Sequence, residues 1–194
     1  MNDLVIHPTT AAALEAWKDG QHHALLLVGS RGSGKASLAG RLASELLHAD
    51  AVEHPYVRWI TPETGLGIEA VQDIGRFLRL KVPGKEAVDR IVIIEDAHHL
   101  TGEAQNALLK TLEEPPAGTR LILTAADEQA LLPTIRSRVQ AVTVNRPVAT
   151  DLQHYFEQQF NKAEVERATR ISGGLPGLMH ALLDNEDQPL KPNI

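Results

Sequence analysis

The stretch Gly29-Ser30-Arg31-Gly32-Ser33-Gly34-Lys35 follows the pattern G-x-x-x-x-G-K. Glycines at these spacings let a backbone curl tightly and aim several N–H groups at phosphate oxygens. A helix starting at the lysine adds its positive N-terminal end, and the lysine supplies a point charge for the outer phosphates. So short a pattern depends on its setting, which here is the required one. It lies between the apolar run Ala24–Val28 and a helix-periodic segment from Lys35 to about Leu47. Gly29, Arg31, Gly32, Ser33, Gly34, Lys35, Ala36 and Ser37 are therefore the candidate nucleotide-contacting residues. One position departs from the chemistry. The residue after the lysine should carry a hydroxyl for Mg²⁺ and is Ala36. Ser37 cannot simply take over, because one helical residue turns a side chain by ~100°. ATP or ADP is expected to bind weakly at best, through the loop backbone and Lys35, with Mg²⁺ placement compromised.

Hydrolysis at such a loop needs two carboxylates at the end of a neighbouring buried strand. One holds Mg²⁺ through water, and the next polarises the attacking water. Ile91–Ile94 followed by Glu95-Asp96 supplies two acids in that place, but in the reverse of the usual Asp-then-Glu order. Glu95 is one methylene too long for the metal position, and Asp96 one too short for the water. Acids at a strand end also serve as an ordinary solvated loop start. Beside a phosphate loop, a degenerate nucleotide-facing pair is the better reading. The pairs His22-His23 and His98-His99 lack i, i+4 metal-ligand spacing, and their side chains are expected to diverge. With no cysteine in the chain, thiolate zinc sites and disulfides are excluded, and no metal ligands are assigned.

The elements that must position these residues alternate. Ala24–Val28, Val57–Thr61, Ile91–Ile94, Leu121–Thr124 and Val139–Val144 read as strands, several apolar on both faces. Between them, Lys35–Leu47 and Ile68–Leu80 are helix-periodic. Thr101 is placed to cap a helix that turns Ala104, Ala107, Leu108 and Leu112 inward and stops at Pro115-Pro116. This pattern predicts an α/β fold: a parallel five-stranded sheet flanked by helices. After Arg146-Pro147 no strand signal remains, and Gly173–Gly177 breaks two helices. The expected organisation is a nucleotide-binding domain over 1–146, a small all-helical domain over 147–184, and a polar tail or linker over 185–194. At 194 residues with 43% hydrophobic and 23% charged, the chain suits such a body rather than a disordered one. The charge sum of −6 makes it a poor stand-alone ligand for DNA. No apolar run near the start approaches a membrane span, and no secretory signal is visible, so a soluble cytoplasmic protein is expected.

Two further strings make the sequence specific. Asn106-Ala107-Leu108-Leu109-Lys110-Thr111-Leu112-Glu113-Glu114-Pro115-Pro116, with Thr134-Ile135-Arg136-Ser137-Arg138 downstream, resembles the AAA+ subunits of the bacterial DNA polymerase III clamp loader. The resemblance runs from about His23 to Asp184. It is greatest to the delta-prime-like members, on His54-Pro55, Gly67-Ile68 and Ser172–Gly177. It implies an AAA+ P-loop domain with a helical lid, in a ring of ATP-binding subunits that places a sliding clamp on primed DNA. The implied partners are gamma/tau-like and delta-like subunits, the clamp and primer-template DNA. By the family pattern Arg138 is an arginine finger acting on a neighbour's ATP, while a surface arginine paired with an acid is the plainer alternative.

The departures from the family point one way. Glu95 and Asp96 fall on its metal and catalytic acids, and its γ-phosphate sensor on Ala125 or Ala126. No arginine stands in Leu175-Pro176-Gly177, where the ATPase subunits carry one, and the cysteines of their zinc module are missing. The family's C-terminal collar has no counterpart in these residues, so a truncated chain or a reduced relative is expected. The leading expectation is a stator-like subunit with little or no ATPase activity of its own. A catalytically active gamma/tau-like ATPase and a generic AAA+ remodelling subunit are the rivals, and the two strings argue against the latter. Arg76, Arg79, Lys81, Lys85 and Arg90 could face enclosed DNA, although Glu86 and Asp89 dilute them and a solvated helix end is the simpler reading.

Overall fold

The computed structural model describes residues 4–52, 54–80, 88 and 90–184. The strands β1 (Ala24–Val28), β2 (Val57–Ile60), β3 (Arg90–Ile94), β4 (Thr119–Ala125) and β5 (Gln140–Thr143) form one parallel sheet in the order β2-β3-β4-β1-β5. The helices are α1 (Pro8–Asp19), α2 (Lys35–Leu47), α3 (Ile68–Phe77), α4 (Gly102–Glu113), α5 (Pro133–Arg136), α6 (Ala149–Glu157), α7 (Lys162–Ser172) and α8 (Pro176–Asp184).

Side-chain alternation along the central strands divides the apolar residues between two layers. Leu26, Val92, Ile94, Leu121 and Leu123 meet Val71, Ile74 and Phe77 of α3 and Leu108 and Leu112 of α4. Leu25, Leu27, Ile91, Ile93 and Ile122 turn the other way, onto Leu14 and Trp17 of α1 and Leu38 and Leu42 of α2. Each fully buried Leu or Ile contributes roughly 1.5–3 kcal/mol, so two-sided burial is what makes these strands apolar throughout. After β5, α6–α8 pack around their own cluster of Leu152, Phe156, Val165, Ala168, Met179 and Leu183.

The structure departs from the sequence reading at three points. α1 carries no sequence signal strong enough to find it: only Thr10, Leu14 and Trp17 are buried, among alanines that suit either face. Its start is set by Pro8 in the first turn and by His7, whose Nδ1 accepts from the Thr9 N–H at 3.2 Å. α3 stops at Phe77 rather than Leu80, and the Leu78 carbonyl accepts instead from the Arg90 guanidinium. That same bond removes Arg90 from any DNA-facing surface, since it is only 8% exposed. Arg76 is exposed beside Asp73 at 3.5 Å, while Lys81 and Lys85 lie outside the described residues. In α4, Ala104, Leu108 and Leu112 are buried and Ala107, partly covered, packs against the same core as expected, with Gln105 buried beside them.

Candidate functional site

The phosphate loop leaves β1 and re-enters helix at Lys35. Gly32 and Gly34 have φ of +80° and +85°, where a side chain would be strained. Gly29 is required for a different reason: a Cβ there would lie 2.9 Å from Ser33 Oγ and 3.2 Å from the Val144 carbonyl oxygen. Gly34 caps α2 without any side-chain acceptor, so the helix's first amides are left for a ligand. Ser33 Oγ is buried with no partner among the described residues, an orphaned polar atom in the same turn. These features fit a phosphate group.

Lys35 is 7% exposed, and its Nζ donates to the carbonyls of Gly29 at 2.7 Å and Ser30 at 3.0 Å. Burial lowers its pKa from the ordinary lysine value, opposed by the charges of Asp96 and Glu95. A cavity of about 250 Å³ brings Arg31, Gly32, Gly34, Lys35, Ala36 and Ser37 together with Glu95, Asp96, Thr124 and Gly177. The loop and the acidic pair thus share one hollow.

The acids are not equivalent within it. Glu95 follows β3 and accepts a hydrogen bond from the Trp59 indole N–H. The edge of the Trp59 ring in turn approaches α2 where Gly40 leaves room: a Cβ at Gly40 would stand 2.9 Å from the ring. Burial raises the Glu95 carboxyl above the usual range, with Asp96 and Glu63 adding to the shift and Trp59 and Lys35 opposing it. Asp96 takes a left-handed backbone with φ of +47°, and its N–H donates to Thr124 Oγ1 at 2.9 Å. With no hydroxyl at Ala36 and one oxygen of Glu95 engaged by Trp59, these side chains fit Mg²⁺ poorly.

A second, mostly apolar cleft adjoins the loop, sharing Gly34, Ser37 and Gly177 with the first. Val144, Tyr155, Phe156 and Pro176 are among the residues lining it, between the end of the sheet and the C-terminal helices. The Gly177 N–H donates to the Gly32 carbonyl at 2.9 Å, tying α8 to the loop apex. A Cβ on Gly177 would meet that oxygen at 3.1 Å, so the contact relies on glycine.

Arg138 is not brought to this cavity. The register pairs Leu25 with Gln140 and Val28 with Thr143, so residue 138 lies at the N-terminal ends of the strands. The loop lies past their C-terminal ends, roughly 13 Å away along β5. There Arg138 pairs with Glu113 at 2.6 Å.

Of the two histidine pairs, only His98-His99 departs from expectation. His23 Nε2 sits 2.8 Å from the Leu112 carbonyl oxygen. The His98 and His99 rings do not diverge but lie 4.1 Å apart, because a tight 3-10 turn sets their directions rather than a regular helix or strand. Sequence reading also missed Trp59, Thr124, Gly177 and the Glu113 partner. All are contacts between residues far apart in the chain, and only the strings holding Glu113 and Gly177 carried any signal.

Comparison with known proteins is consistent across sequence and fold. The family model described as DNA polymerase III, delta subunit, matches residues 10–147. The delta' subunit of Escherichia coli is 31% identical over 188 residues, which is 86% of this chain and 56% of that protein. The delta' subunit of Haemophilus influenzae is 32% identical over 163 residues, 75% and 48% respectively. The chain spans about half the length of the curated relatives it matches. The crystal structure of a DNA polymerase III gamma subunit-related protein from Thermotoga maritima superposes with a TM-score of 0.71 at 26% identity, covering 90% of this chain and 57% of that one. The RuvB branch migration motor of the same organism, at 19% identity and a TM-score of 0.66, covers 90% and 58% and shares the fold alone. The architecture is thus that of AAA+ proteins, and the chain belongs to the DNA polymerase III delta-subunit family, as a clamp-loader-type subunit resembling delta'.

Proposed function

We propose that the chain is a stator-like AAA+ subunit of a clamp loader, which lends Arg138 to the ATP of a neighbouring subunit and hydrolyses little or nothing itself. The observation that carries this reading is the position of Arg138. It lies at the far end of the strands from Lys35, so it cannot act on a nucleotide in its own loop. A guanidinium supplied across an interface stabilises charge on a transferring phosphoryl group.

The chain's own loop is read as a weak site for ATP or ADP. The α2 amides and Lys35 hold the phosphates, and the apolar cleft beside Tyr155 and Phe156 takes the base. Where Mg²⁺ is bound at such a loop, it neutralises the β- and γ-phosphate oxygens. Here Ala36 offers it nothing, and Glu95 is held by Trp59. Residues 1–146 form the nucleotide-binding domain and 147–184 the helical lid, and the subunit works with gamma/tau-like and delta-like partners, the sliding clamp and primer-template DNA. A working ATPase is the second reading, favoured by the intact loop lysine and by 30% identity to the gamma subunit of Buchnera aphidicola. Reconstitution of the full-length subunit with its partners separates the two. Arg138→Ala is expected to suppress DNA-stimulated ATPase and clamp loading, and Lys35→Ala to change them little. The opposite ranking would replace the stator with the active ATPase.

A further inference from the structure

The two sequence strings that carry the family resemblance meet in space at the Arg138 guanidinium. Glu113, the last residue of α4, comes from the first string, and its Oε1 accepts from Arg138 Nη2 at 2.6 Å. The second string supplies the rest. Arg138 Nη1 donates to the Thr134 carbonyl at 2.8 Å and to Ser137 Oγ at 3.1 Å. Ser137 Oγ donates to the same Thr134 carbonyl at 3.1 Å, which fixes the acceptor it offers. A guanidinium has five N–H donors in a planar fork. Three are held by these partners, and among the described residues the Nε N–H and one Nη2 N–H are left over.

The carboxylate of Glu113 is hard to explain by stability. At the last residue of a helix it faces the negative end of the helix dipole, which disfavours it. The pair is also partly exposed, with side-chain exposures of 34% for Arg138 and 49% for Glu113, so its contribution to folding is small. What the pair does is orient. Two turns earlier on α4, the buried Gln105 accepts from the Leu132 N–H at 2.8 Å and donates to the Leu100 carbonyl at 3.1 Å. α4 therefore fixes the entry to α5 through Gln105 and the residue just past its exit through Glu113.

We infer that Glu113 is the positioning residue of Arg138: it holds one side of the guanidinium so that the remaining donors face outward, toward a phosphate carried by a neighbouring subunit. This rests on the arginine-finger reading above. Glu113 itself touches no nucleotide. Its role is to keep the fork aimed before the partner arrives, where a displacement of about 1 Å costs on the order of a hundredfold in rate.

The test uses the full-length subunit in its reconstituted clamp loader, with kcat and KM for ATP measured alongside thermal unfolding of the subunit. Glu113→Ala and Glu113→Gln are expected to lower kcat by about tenfold, with KM unchanged and unfolding barely shifted. In an Arg138→Ala background, Glu113→Ala should cause no further loss, because there is nothing left to aim. The inference is overturned if Arg138→Ala lowers kcat while both Glu113 variants leave it intact. It is equally overturned if Glu113→Ala raises kcat, or lowers it by the same factor with and without Arg138. If Arg138→Ala itself changes nothing, the arginine-finger reading has failed and not merely its refinement.

Discussion

Lys35 and Arg138 are the two cations around which this chain's chemistry is arranged, and their surroundings differ in kind. Lys35 is buried at the C-terminal ends of the strands, with its ammonium group on two carbonyls of its own loop and two acids across a shared hollow. Arg138 stands at the N-terminal ends, partly exposed, paired with Glu113 and, among the described residues, with donors to spare. On the function proposed above, the first environment serves a ligand that enters the chain, and the second one that another molecule brings. The lesson is that residues at one end of a sheet can change without disturbing the other, since the length of the strands separates them.

The sharpest way to break the comparison is to replace the planar fork by a point charge. Arg138→Lys keeps the charge and should still lose on the order of 10²-fold or more of the rate at the served site, against the ~10³–10⁵ that a trans finger supplies. A steady-state ATPase assay of the assembly that showed Lys tolerated would remove the reason for an arginine. Next in size is Lys35→Ala, which should weaken ATP or ADP binding to the chain roughly 10- to 100-fold, the value of one hydrogen bond to a charged group. Calorimetric titration of the isolated subunit measures this, and an unchanged affinity would mean that nucleotide does not seat in the loop. Smaller still is the metal effect: adding Mg²⁺ should alter nucleotide affinity by no more than about threefold, because Mg²⁺ demands near-ideal oxygen ligands. A large metal-dependent gain would show Ser37 or Glu95 taking up the role that Ala36 cannot.

The smallest effect concerns Glu95 and pH. A carboxyl whose folded pKa is raised stabilises the fold most when protonated, and that contribution is lost as pH rises through the folded value. Glu95→Gln keeps an acceptor for Trp59 without the charge. It should raise Tm at neutral pH by about 1–2 °C and give no difference below about pH 4, where Glu95 is protonated as well. A lower Tm at neutral pH would mean that the ionised carboxylate is better held than its burial indicates.

Sequence alone went far where chemistry is local. The loop is a contiguous string whose glycines are demanded by backbone geometry, and the runs at Leu25, Ile91 and Leu121 are apolar because both faces of the sheet are covered. α1 escaped because three buried residues among alanines make no legible stripe. The seat of Glu95 escaped because it depends on an indole from another strand, admitted by a missing Cβ on α2. Arg90 misled for a related reason: a charge in a sequence carries no sign of the carbonyl waiting for it in the fold. The contact between Gly177 and Gly32 joins residues with almost the whole fold between them, and no spacing rule reaches that far.

The indole of Trp59 also bears on how the site answers to substitution. A hydroxyl introduced at position 36 would face a carboxylate already engaged by Trp59, whose ring edge fills the room that Gly40 leaves on α2. Positions 36, 95, 59 and 40 are therefore one coupled unit, and changes made there singly and together should not add.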